Sequence, residues 1–209
     1  MTGFKDIIGN DLIKEQFSEA IRTGKLSHAY LISGDKGMGK KKLARAFCEE
    51  LFCEHPTEGG ACGTCPSCRK VLSGNHPDVI WLNTAKPDVI KVDEIREQIV
   101  DTAEIRPFLG GRKVYIIPDA ERMNQQAQNS LLKVLEEPPE YVIIFLLCSD
   151  ETALLETILS RVIRIRLKPR TDSMVKEHLR DRFPDSDEEG LDLAVAFSRG
   201  NVGRAEDIL

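Results

Sequence analysis

Short, almost wholly apolar runs alternate along this chain with longer stretches whose apolar positions recur every three or four residues. The runs Ala29 to Ser33, Asp78 to Leu82, Lys113 to Ile117, Tyr141 to Leu147 and Val162 to Leu167 predict β-strands, since a strand covered on both faces has no polar side. Between them, residues from about Lys40 to Phe52, Val92 to Ala103 and Asn124 to Glu136 predict helices. Ile95 and Ile99 stand four apart on the second, Leu131, Leu132 and Leu135 line the third, and Pro138 with Pro139 stops it. Alternation of this kind predicts an α/β fold, a mostly parallel sheet with helices on both faces. After Pro169 the strand pattern ends. Segments from about Asp172 to Arg182 and Asp187 to Ser198, and a third after Gly200-Asn201-Val202-Gly203, predict a small all-helical unit.

The first strand runs into Gly34-Asp35-Lys36-Gly37-Met38-Gly39-Lys40-Lys41, a phosphate-loop pattern in every position but the last. In that pattern backbone N–H groups cradle phosphates, a lysine neutralises the terminal ones, and a Ser or Thr hydroxyl ligates magnesium. Gly34, Gly37, Gly39 and Lys40 are therefore candidate phosphate-binding residues. Lys41 breaks the pattern, because an ammonium only donates and repels a divalent cation. The second metal-holding position is altered too. Where a P-loop ATPase carries an Asp-Glu pair after its apolar strand, this chain reads Pro118-Asp119. A shifted register would give Asp119 the magnesium and Glu121 the base role, with Lys41 still in place. The expectation is a degenerate loop that turns over no nucleotide, its capacity to bind one doubtful. Lys40, Lys41, Lys42 and Arg45 form the strongest basic cluster, either an anion site or a solvated helix face.

Net charge is −5, from 29 basic and 34 acidic residues, so no global field draws the chain to polyanions or membrane surfaces. There is no long apolar span and no signal-peptide layout at the start, which predicts a cytoplasmic protein without membrane contact. In a reducing compartment, clustered cysteines are metal ligands more often than disulfides. Four of the six cluster: Cys53, Cys62, Cys65 and Cys68, spaced C-x8-C-x2-C-x2-C among Gly59, Gly60, Gly63 and Pro66. Four thiolates on a short knuckle suit tetrahedral zinc, and a closed set leaves no coordination position for substrate, so the zinc is expected to be structural. His55 and His76 are reserve ligands, while Cys48 and Cys148 fall on apolar stripes as core residues. A nucleic-acid role for the knuckle is disfavoured, because Glu49, Glu50, Glu54 and Glu58 offset Arg69 and Lys70.

These features come in a familiar order. Ile8-Gly9-Asn10-Asp11, Leu26-Ser27-His28-Ala29-Tyr30-Leu31-Ile32-Ser33-Gly34, the cysteine insert after the phosphate-loop helix, the run Ala127-Gln128-Asn129-Ser130-Leu131-Leu132-Lys133-Val134-Leu135-Glu136-Glu137-Pro138-Pro139 and Thr157-Ile158-Leu159-Ser160-Arg161-Val162 cover nearly the whole chain. Together they resemble the clamp-loader subunits of the AAA+ class, among them the delta-prime type of bacterial DNA polymerase III. The resemblance implies an AAA+ P-loop domain over 1–168 with the zinc insert at about 53–70, and a helical lid over 169–209. It also implies a third, helical collar domain in complete subunits, for which a chain ending at Leu209 has no room.

Ser160-Arg161-Val162 is similar to the family's Ser-Arg-Cys motif with valine for cysteine, which makes Arg161 an arginine finger acting in trans on ATP held by a neighbour. Arg164 and Arg166 alternate with Ile163, Ile165 and Leu167 and are expected on an exposed strand face. Ser149 matches the nucleotide-sensing position, with a helix N-cap as its plainer role. Gly200-Asn201-Val202-Gly203-Arg204 is one residue out of step with the family's sensing arginine. The implied role is a non-hydrolysing part of a DNA polymerase holoenzyme that helps load a sliding clamp onto primer-template DNA during replication. Its implied partners are the motor gamma/tau and delta subunits. The alternative is an active gamma/tau-like ATPase subunit.

Overall fold

A computed structural model describes residues 3–209. Five parallel strands, β1 (Ala29–Ser33), β2 (Val79–Trp81), β3 (Lys113–Ile117), β4 (Val142–Cys148) and β5 (Ile163–Arg166), form one sheet in the order β2-β3-β4-β1-β5. Every residue of β1, β3 and β4 is buried, as their unbroken apolar runs require. Alternate side chains serve two cores. Leu31, Tyr115, Ile117, Ile144 and Leu146 enter one, whereas Tyr30, Ile32, Ile116, Phe145 and Leu147 enter the other. In the second core Phe17, Tyr30, Phe47 and Phe145 pack as a ring cluster with centroids 4.9 to 6.1 Å apart.

The helices are α1 (Asp11–Thr23), α2 (Lys40–Leu51), α3 (Pro66–Leu72), α4 (Val92–Ile95), α5 (Asp101–Ala103), α6 (Gln125–Glu136), α7 (Glu156–Leu159), α8 (Asp172–Arg182), α9 (Glu188–Ser198) and α10 (Val202–Glu206). Where the sequence predicts a single helix from Val92 to Ala103, a π-type stretch, Arg96–Val100, joins α4 to α5. Three helices lie outside the expected set: α1, which buries Phe17, α3, which closes the cysteine knuckle, and the short α7, which buries Ile158. β5 also differs from a half-buried strand. As the sheet's outer member it leaves Ile163 half exposed beside Arg164 and Arg166, and only Leu167 beyond it is buried. α8, α9 and α10 share a separate apolar cluster of Val175, Leu179, Leu191, Ala194, Val195 and Ala205.

The loop after α5 is braced from beneath. Buried Asp78 accepts hydrogen bonds from the backbone N–H groups of Phe108 and Leu109, and the buried Lys113 ammonium donates to the carbonyls of Thr102 and Ile105. Phe108, 81% exposed, is thereby held at the surface.

Parallel pairing gives the sheet two unlike ends. At the C-terminal ends of β1 and β4 lie Gly34 and Ser149, where ligands of open α/β sheets bind. At the N-terminal ends of β1 and β5 lie His28 and Arg161.

Candidate functional sites

Gly34, Gly37 and Gly39 have φ of 149°, 92° and 91°, values that L side chains rarely adopt, so the turn depends on these glycines. Gly39 precedes α2, and no side chain caps that helix start. The geometry is that of a phosphate cradle, and the loop's own carbonyls engage its lysine. Lys40 is 9% exposed, and its ammonium donates to the carbonyls of Gly34 and Asp35 (3.1 Å to the latter) and to Ser149 Oγ at 3.0 Å. Three acceptors satisfy three donors. Burial lowers the Lys40 pKa, with the Glu121 and Asp119 carboxylates opposing that shift. Ser149 also donates its backbone N–H to Glu121 Oε1 at 3.1 Å, and its hydroxyl is no helix cap. Asp150 takes that role, accepting from Thr152 N at 2.9 Å.

Lys41 lies with Nζ 3.9 Å from Asp119 Oδ2, and Arg122 approaches the same oxygen at 3.9 Å. An ammonium thus faces the carboxylate that a shifted register would offer to magnesium. Asp119 itself adopts φ 51°, which turns the chain sharply after β3. With Lys41 beside that carboxylate and no hydroxyl at its position, the loop lacks the side chain that ordinarily ligates magnesium.

The out-of-step segment before α10 closes over the loop. Asn201 Nδ2 donates to Lys36 O at 2.8 Å, Gly203 N donates to Gly37 O at 3.0 Å, and Asn201 Oδ1 caps α10 by accepting from Arg204 N at 3.1 Å. The approach is backbone to backbone. A Cβ on Gly203 would stand 2.6 Å from Gly37 Cα. Gly203→Ala is therefore expected to lift the three-helix unit off the loop, costing about 2 kcal/mol for the broken hydrogen bonds and about 5 °C in Tm. Unchanged melting and unchanged amide protection at Gly203 would count against this latch.

Arg161 follows α7 at the other end of the sheet, with the length of β1 between it and its own phosphate loop. Its Nη1 donates to Thr157 O at 2.8 Å and Ser160 Oγ at 3.2 Å, and its Nη2 pairs with Glu136 Oε1 at 3.0 Å. The side chain, 35% exposed, lines an open recess with Ser27, His28, Leu135 and Glu137.

The sulfur atoms of Cys53, Cys62, Cys65 and Cys68 all lie within 4.8 Å of one another. Tetrahedral zinc with bonds of about 2.3 Å holds sulfurs about 3.8 Å apart, so the donor set fits that ion. Backbone N–H groups of Cys62, Cys65 and Cys68 donate to Cys53, Cys62 and Cys65 sulfur at 3.2, 3.4 and 3.4 Å, an arrangement suited to thiolates. The N–H groups of Thr64 and Cys65 pull the Cys62 pKa down to about 6, whereas burial raises that of Cys68. Neither reserve histidine joins the set. His76 is buried, accepts from Asp78 N at 3.2 Å and meets Ser67 Oγ at 3.1 Å, and His55 is exposed. Cys48 and Cys148 are fully buried core thiols.

Residues 9–171 match the family described as DNA polymerase III, delta subunit. The chain belongs to that family. Among relatives of the delta-subunit family, the DNA polymerase III subunit delta' of Pseudomonas aeruginosa is 37% identical over 179 residues, 84% of this chain and 53% of its own length. The tau/gamma subunit of Haemophilus influenzae is 35% identical over 204 residues, 95% of this chain and 29% of its own. The chain thus spans about half or less of these two proteins. A solved DNA polymerase III gamma subunit-related protein from Thermotoga maritima aligns with a TM-score of 0.59 at 29% identity, over 88% of this chain and 58% of that one. The fold is accordingly the AAA+ P-loop core with its cysteine insert, followed by small helices.

Sequence reasoning missed Glu136 and Asn201 as working residues. Both stood inside segments singled out for other reasons, and their partners Arg161 and Lys36 lie far away along the chain.

Proposed function

We propose that this chain is a non-hydrolysing subunit of the DNA polymerase III clamp loader, helping a neighbour's ATP to load the sliding clamp onto primer-template DNA. The reading rests above all on Lys41, an ammonium where a phosphate loop carries its magnesium-ligating hydroxyl, with Nζ 3.9 Å from Asp119 Oδ2. Arg161, held at the far end of the sheet, would then serve ATP bound by a motor gamma/tau subunit and not its own loop. Gamma/tau and delta subunits would be its partners, in the cytoplasm; no described helix is long and apolar enough to cross a membrane. Residues 1–168 would be the AAA+ core, 169–209 the lid, and structural zinc would hold the insert.

A second reading, an active gamma/tau-like ATPase, is favoured by the 35% identity to a tau/gamma subunit. Steady-state hydrolysis by the purified chain separates the two. No turnover above background is expected with Mg-ATP, and clear turnover that a Lys40→Ala variant abolishes would overturn the first reading.

A further inference from the structure

We infer that Glu136 is a positioning residue for Arg161, fixing the guanidinium so that its uncommitted donors point out of the recess. This rests on the trans role proposed above for Arg161. A guanidinium carries five N–H donors in a rigid fork. Nη1 donates to Thr157 O and Ser160 Oγ, and Nη2 is ion-paired with the Glu136 carboxylate 3.0 Å away. Nε–H and Nη2 donate no hydrogen bond among the described residues and remain for an outside anion, and two such donors suit a phosphate.

The partners of Arg161 are themselves fixed. Thr157 O belongs to the short α7 and accepts from both Arg161 Nη1 and, at 3.1 Å, Ser160 Oγ at the helix end. Glu136 is the last residue of α6. The two helices are tied together by buried Gln128, which donates to Met123 O and Ala153 O at 3.0 Å each and accepts from Leu155 N at 2.8 Å. Glu136 therefore approaches Arg161 from a rigid element. Holding one edge of a long, flexible side chain reduces the ordering cost of using the other edge. Glu136 does not touch the proposed phosphate. Its effect passes through Arg161.

The test is DNA-stimulated ATP hydrolysis by the assembled clamp-loader complex carrying full-length subunits. Glu136→Gln keeps the shape and removes the charge, and is expected to lower kcat roughly threefold, the scale of a partly exposed ion pair, with KM for ATP unchanged. In an Arg161→Ala background the same substitution is expected to have no further effect. Glu136→Asp, which retains the charge, should recover part of the loss. An unchanged kcat in Glu136→Gln, or an equal loss with and without Arg161, would overturn the positioning role. If Arg161→Ala alone leaves hydrolysis unchanged, it is the trans reading that fails, and the two failures are told apart by that arm.

Discussion

Arg161→Ala is expected to lower hydrolysis at the neighbouring subunit's ATP site by about a thousandfold, the low end of what an arginine finger contributes, while leaving this chain folded. The large term comes from chemistry. In the proposed trans role, charge building on the transferring phosphoryl group would be met by a fixed guanidinium, and alanine would leave it to water. The small term comes from the fold. Arg161 is 35% exposed and its partner Glu136 is 50% exposed, so their pair adds no more than about 1 kcal/mol to stability. Arg161→Lys should fall between, since lysine keeps the charge without the planar fork. Single-turnover hydrolysis in the reconstituted complex, read beside a thermal melt of the variant chain, separates the two terms. A rate within a factor of two of the parent, with a normal melt, would remove the finger assignment.

How far such residues could be read from the sequence depends on how far away their partners are. β4 was legible because all seven of its residues are buried between two helical layers, so the run carries its own signal. α1 also carried one, in Ile13, Phe17 and Ile21 at four-residue spacing. Only Phe17 is fully buried, Leu12 points outward, and charged residues fill the gaps, so the stripe is diluted. α3 hid behind the cysteines. Pro66 in its first turn and Cys65 as a cap accepting from Cys68 N were helix-start signals read only as metal spacing.

Ser149 shows the limit more sharply. Its local sequence offers a cap for the short turn at Glu151–Ala153, but the Asp150 carboxylate wins that place and frees Ser149 for Lys40, 109 residues away. The phosphate-loop pattern was legible in the same way as β4, residue by residue. That Lys40 turns back on its own loop, and that Asn201 and Gly203 seal Lys36 and Gly37, are tertiary facts that no local spacing encodes.

The cysteine knuckle makes the other large prediction, because little else holds it. Besides the cysteines, its apolar cluster contains only Ala61, too little buried surface to order a segment of some twenty residues. Zinc held by four thiolates supplies about 10–16 kcal/mol in comparable small modules, and that binding energy becomes folding energy. Cys68→Ser, or exhaustive chelation, is therefore expected to unfold residues 53–72 as a unit. The damage should reach one layer further. Val71 packs into the core beneath the sheet, the Cys68 thiol lies 3.8 Å from Glu49 O, and Ser67 N is held by Glu54 Oε1 at 3.1 Å, so the end of α2 should loosen as well. β3 and β4, remote from the knuckle, should keep their amide protection. Metal analysis should find one zinc per parent chain and none in the variant, with hydrogen exchange accelerated across 53–72 and at the end of α2. A Cys68→Ser chain that keeps the protection of this segment without metal would show that the protein scaffold, and not the ion, orders the knuckle.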